Sequence, residues 1–120
     1  MFHSGVWGSD NRIVFIPAFN AGIWGVSADG GTPELLLKTD EVKDRVAYLF
    51  PQILPDKKSI LFTLASKHAF TVDDLQIAIL EPGGTEPRVL IKGGGTGRYI
   101  SNGNLLYSHR GTLLALPFEI

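Results

Sequence analysis

The chain has 120 residues, with 11 basic against 12 acidic side chains and a formal net charge of −1. With 44% of residues apolar and 19% charged, a buried core is within reach and a disordered tail is excluded, and no strongly basic run of the kind that displaces counterions from nucleic acid is present. The absence of cysteine removes disulfides, thiolate nucleophiles and cysteine-ligated metals. The longest apolar run, residues 13–19, falls far short of the roughly 18 residues a membrane-spanning helix needs.

Fourteen glycines and seven prolines divide the chain into apolar runs of about five to seven residues, which read as β-strands. The first group begins with Val6-Trp7, passes a Ser9-Asp10-Asn11 turn, and continues as Arg12-Ile13-Val14-Phe15. It then takes Ile23-Trp24-Gly25-Val26, an Asp29-Gly30-Gly31 turn, and Leu35-Leu36-Leu37-Lys38. Residues 39–49 follow. Val42, Val46 and Leu49 have helical spacing and Glu41 and Arg45 form an i, i+4 pair, yet a loop between units is the preferred reading. The second group repeats the order: Phe50-Pro51-Gln52-Ile53, the Asp56-Lys57-Lys58 turn, Ile60-Leu61-Phe62, Gln76-Ile77-Ala78-Ile79-Leu80, Gly83-Gly84, and Val89-Leu90-Ile91-Lys92. The third offers Arg98-Tyr99-Ile100, the Asn102-Gly103 turn, Leu105-Leu106-Tyr107, and Thr112-Leu113-Leu114-Ala115-Leu116, with no fourth strand.

Phe15, Phe62 and Tyr107 occupy equivalent places in the three groups, 47 and 45 residues apart. A period of about 40 to 50 residues with four short strands describes propeller blades. The expected fold is therefore all-β, a partial β-propeller of about three four-stranded antiparallel blades. Blade one covers residues 2–38, blade two 48–92 and an incomplete blade three 96–120. Strands sandwiched between neighbouring blades are apolar on both faces, which accounts for the weak alternation in Ile13-Val14-Phe15-Ile16.

The turn segments Trp7-Gly8-Ser9-Asp10-Asn11 and Leu54-Pro55-Asp56-Lys57, with a degenerate third copy at Ser101-Asn102-Gly103-Asn104, resemble those of the TolB-like propeller repeat, a bacterial relative of the tryptophan-aspartate repeats. Residues 22–34 are similar to propeller segments that follow the catalytic domain and membrane span of bacterial serine/threonine protein kinases. The resemblance covers almost the whole chain. It implies a non-catalytic segment for protein or ligand recognition, the sensor or scaffold part of a larger bacterial signalling protein. Because this repeat family also occurs in periplasmic scaffolds and peptidase gating domains, the alternative is a segment that gates a hydrolase or peptidase site supplied by another domain. Attachment to a membrane-spanning kinase implies an extracytoplasmic location, and its absence a cytoplasmic one.

In such a blade the strand one to two and three to four turns share one end, and the two to three and interblade connections share the other. The first end receives only tight turns here. The second receives Lys67, His68, Phe70, Asp73 and Asp74 in the long connection of the second group, the stretch 39–47 with Asp44 and Arg45, and Arg110 in the short connection of the third. Long loops on a rigid scaffold are where binding resides, so these eight residues form the expected partner-binding face.

Catalysis finds no support. His3, His68 and His109 lack partners at metal-ligand spacing. Asp10 and Asp56 recur in turns, where a carboxylate caps backbone amides. The stretch Gly93-Gly94-Gly95-Thr96-Gly97 lacks the Lys-Ser/Thr ending of a phosphate cradle and leads into a strand. Trp7 and Trp24 read as packing anchors. No cofactor or metal is expected, and no nucleic acid or membrane contact. Since propellers close with about four to eight blades, the expected partners are a protein, the remaining blades of a longer polypeptide, or a second copy meeting the open blade faces.

Overall fold

The computed structural model of the chain describes residues 4–7, 11–18, 20–40, 42–43, 45–56, 58–67, 74–100 and 103–118. Among them the fold is all-β, with three antiparallel sheets and no α-helix. Sheet one contains β1 (Ser4–Trp7), β2 (Arg12–Ile16), β3 (Ile23–Ser27) and β4 (Glu34–Leu37). Sheet two contains β5 (Ala47–Ile53), β6 (Ile60–Ala65), β7 (Gln76–Leu80) and β8 (Arg88–Lys92). Sheet three contains β9 (Gly95–Tyr99), β10 (Asn104–His109) and β11 (Thr112–Pro117). In each sheet the spatial order is the chain order, so every neighbour is joined by a hairpin-type connection. The three sheets do not close into a ring.

The hydrophobic pattern explains why the sheets stack. Every residue of β6 is buried, and its side chains alternate between two cores. Ile60, Phe62 and Leu64, with Tyr48, Ala78 and Leu80, meet Val14, Ile16, Ile23 and Leu37 of sheet one. Leu61, with Leu54, Ile77 and Ile79, meets Leu105 of sheet three, and Tyr99, Tyr107 and Phe118 pack against that second cluster. A strand that serves two interfaces has no polar face, and Ile60-Leu61-Phe62-Thr63-Leu64-Ala65 reads as a continuous apolar run for that reason. Across the stack β1 and β2 lie against β5, and β9 lies mainly against β6 while also meeting β5 and β7.

Two side chains fasten the sheets where they converge. The Tyr48 hydroxyl donates to the Lys38 carbonyl at 2.8 Å, and its ring meets Phe62 edge to face at 5.0 Å. The Gln52 amide pairs with the backbone of Tyr99 in both senses, donating to its carbonyl at 2.9 Å and accepting from its N–H at 2.8 Å. That amide acts as a one-residue strand between sheets two and three.

Local irregularities follow from particular residues. The β5–β6 register slips between Leu49 and Gln52, where Phe50 has a φ of 52° and Pro51 has no N–H to donate. A proline is tolerated in this edge strand because the bulge takes it out of the ladder. At the β10–β11 turn both Arg110 (φ 50°) and Gly111 (φ 77°) are left-handed, as a two-residue type I′ hairpin requires. The 39–49 segment forms an isolated antiparallel bridge between Asp40 and Arg45 before β5 starts.

Candidate functional site

The connections gather at one end through a relay of hydrogen bonds. The Thr39 hydroxyl donates to the Asn20 carbonyl at 3.3 Å, tying the 38–46 connection to 17–22. Val46 N–H donates to Ala65 at 3.0 Å, beside the start of the 66–75 connection. The Leu75 carbonyl accepts from the amides of Gly93 and Gly94 at 2.9 and 3.2 Å, and the Gly93 carbonyl meets His109 Nδ1, next to the β10–β11 turn. Residues far apart in sequence thus share one surface. The Gly-rich stretch contributes backbone to it and serves as the link from β8 to β9.

Within this end lies a cleft of about 330 Å³. Its cationic walls are Lys43, Arg45 and Lys92, its uncharged polar groups are Ser66 and Gln76, and Leu64 and Val89 supply the apolar lining. The Asp40–Arg45 bridge and the Asp40 carboxylate, which accepts from Lys43 N–H at 3.2 Å, fix the small hairpin that presents Lys43 and Arg45. Lys92 comes from the end of β8, directly opposite Gln76 on β7. Glu86 engages the Lys43 ammonium and stands 3.7 Å from an Arg45 guanidinium nitrogen. The hydrogen bond and charge of Lys43 hold the Glu86 carboxyl below its ordinary range, aided by Arg45.

Of the residues expected on the binding face, Lys67 and Asp74 are exposed at the two ends of the 66–75 connection. Arg45 is half-buried in the cleft wall. Arg110 is exposed in the β10–β11 turn. His68, Phe70, Asp73 and Asp44 lie outside the described residues. Arg45 and the flank of the long connection are brought together; Gln76, Glu86 and Lys92 join them unforeseen. The only sequence signal for Lys92 is its repeat position, because Lys38 closes the equivalent strand of the first group.

The opposite end is built of tight turns and has mixed charge. Asn11 donates to Asp29 at 2.7 Å, joining the β1–β2 and β3–β4 turns beside a cavity of about 360 Å³ that also contains Arg12 and Glu34. Asp56 accepts from the amides of Lys58 and Ser59 at 3.0 and 2.8 Å and from the Ser59 hydroxyl. Burial opposes its ionisation, but these bonds and the Lys58 charge together hold its pKa below the ordinary value. Its oxygens are thereby committed to the turn. Asp10 lies outside the described residues. Trp24 is half-buried and donates its indole N–H to the Ala21 carbonyl at 2.8 Å.

Comparison of the chain with protein-family models, with curated proteins and with solved structures finds no match.

Proposed function

We propose that the three stacked sheets are successive blades of a partial β-propeller, and that the chain is a non-catalytic segment for protein or ligand recognition. Its setting in this reading is the sensor or scaffold part of a larger bacterial signalling protein such as a serine/threonine kinase. The observation that carries the reading is the stacking of the three sheets, β1 and β2 on β5 and β9 on β6, together with the gathering of the long connections at one end. Sheets that stack face to face in chain order suit a radial arrangement. A scaffold of this kind holds its connections in place without spending them on the core, which leaves them available for contact.

The test is affinity capture with the intact segment and with a variant whose 67–74 connection is replaced by a two-residue turn. Direct binding of the captured protein to both purified forms follows. The expected result is a partner that binds the intact form and is lost from the variant, while circular dichroism shows an unchanged β-fold. Equal binding by both forms overturns the choice of face.

A further inference from the structure

We propose that the cleft between the 38–46 and 66–75 connections is a binding site for a small anion carrying phosphate or carboxylate oxygens. The proposal deepens the recognition reading and rests on it for the use the site is put to.

Charge composition separates this cleft from two others among the described residues. The cavity at the tight-turn end sets Arg12 against Asp29 and Glu34, and the seam between sheets one and two sets Arg12 and Lys58 against Glu34 and Glu81. Here Lys43, Arg45 and Lys92 line the walls, and Glu86, the carboxylate paired with the first two, stands outside the lining. Like charges gathered at one concavity focus the local field on an incoming anion. The buried Leu64 side chain beneath them lowers the local dielectric and lengthens the reach of that field.

The polar groups match the charge. Ser66 brings a hydroxyl and Gln76 an amide, both able to donate to anionic oxygens. Gln76 and Lys92 occupy opposed positions on adjacent strands, so the sheet holds a neutral donor and a cation side by side. Among the described residues no ion pair engages Lys92. Glu86 already rests on Lys43 and near Arg45, so these cations accept a carboxylate within the molecule itself. It is an internal competitor that an external anion displaces or joins. A volume of about 330 Å³ holds on the order of ten waters, enough for a hydrated phosphate or dicarboxylate.

The experiment is a ¹⁵N–¹H correlation titration of the full chain with inorganic phosphate and, separately, with succinate, at constant ionic strength. Saturable shifts at the Ser66, Gln76 and Lys92 amides are expected for at least one probe, and the probe that saturates identifies the oxyanion class. Lys92→Gln and Arg45→Gln each weaken binding about fivefold, the effect of one nearby unit charge at a surface site. Glu86→Gln tightens it about threefold. Glu34→Gln, the same charge change at the opposite end, leaves it unchanged. Non-saturating shifts with both probes, or equal weakening by Lys58→Gln and Lys92→Gln, overturn the proposal. Shortening the 67–74 connection leaves every cleft residue in place. Partner binding that depends on that connection in a chain that binds neither probe therefore overturns the anion site and leaves the recognition reading intact.

Discussion

Tyr48 joins three levels of the structure through one side chain. Its ring packs in the core between sheets one and two, its edge meets Phe62, and its hydroxyl ends at the Lys38 carbonyl where β4 leaves its sheet. Burial pushes its pKa from the ordinary 10.0 up to about 12, against the lowering influence of Arg45. The folded chain therefore keeps a proton that the unfolded chain loses first. The stability this contributes is fully present below pH 10 and is lost as pH rises through the folded value of about 12. Tyr48→Phe is expected to cost about 1 kcal/mol at neutral pH, the net worth of a buried hydrogen bond. It also flattens the alkaline decline relative to the native chain. Urea midpoints at pH 8, 10 and 11 measure both, and parallel declines in the two proteins refute the assignment. Gly22 shows a different constraint at the same scale. Its φ is 84°, and a Cβ there would lie 2.4 Å from the Leu37 carbonyl oxygen, so the β2–β3 connection passes β4 closely only because no side chain is present.

At the scale of elements, β6 and β7 decide the architecture, since each presents apolar side chains to both neighbours. Ile77 is fully buried and packs toward sheet three at the place where Gly97 offers no side chain. A Cβ on Gly97 would meet Ile77 carbons at 2.9 Å, so the two strands approach as closely as a glycine allows. Truncating Ile77 opens a void that Gly97 cannot fill. Ile77→Ala is expected to cost about 2–5 kcal/mol and Ile77→Val about 0.5–1.5 kcal/mol. Chemical denaturation followed by tyrosine fluorescence resolves the two. A cost below that of the Val variant in the Ala variant would mean the sheets are less tightly apposed. Against a total stability of about 5–15 kcal/mol for a domain, the Ala variant loses a substantial share. The acidic and basic residues of the 38–46 hairpin have a local purpose by comparison: they shape the cleft and add little to the core, because solvent screens exposed ion pairs such as Lys43–Glu86.

For the whole molecule, the central sheet is covered on both faces while the outer surfaces are left open. The radius of gyration of 13.8 Å is close to the roughly 14 Å of a compact chain of this length, so stacking alone produces compactness without ring closure. The consequence appears on β11, the edge strand of sheet three. Leu113 is 70% exposed and Leu116 42%, with no charged residue between Thr112 and Pro117 to discourage pairing. The isolated chain is expected to self-associate through this strand and its face. Replacing Leu113 and Leu116 together by Lys should shift the sedimentation distribution toward monomer at equal concentration; an unchanged distribution would place the association elsewhere.

The all-β class was legible in the residues, because glycine and proline breaks fall between apolar runs and runs such as Ile60 to Ala65 have no polar face. The Asp56 turn was legible for a similar reason: a carboxylate two and three residues before the amides it accepts from is a local arrangement. The left-handed Phe50 ahead of Pro51 was not, since only the pairing of β5 with β6 on either side of the bulge holds it there. Nor was the cationic cleft. Lys43 and Arg45 lie in one connection, but Gln76 and Lys92 reach them through a strand register, and Glu86 from the β7–β8 connection, neither of which local sequence specifies. Chain chemistry by itself determined strands, turns and two-sided burial, all of which depend on neighbours in sequence. Tertiary structure alone decided which distant side chains share a surface, because charge and shape at a site depend on distances that only the packed sheets set.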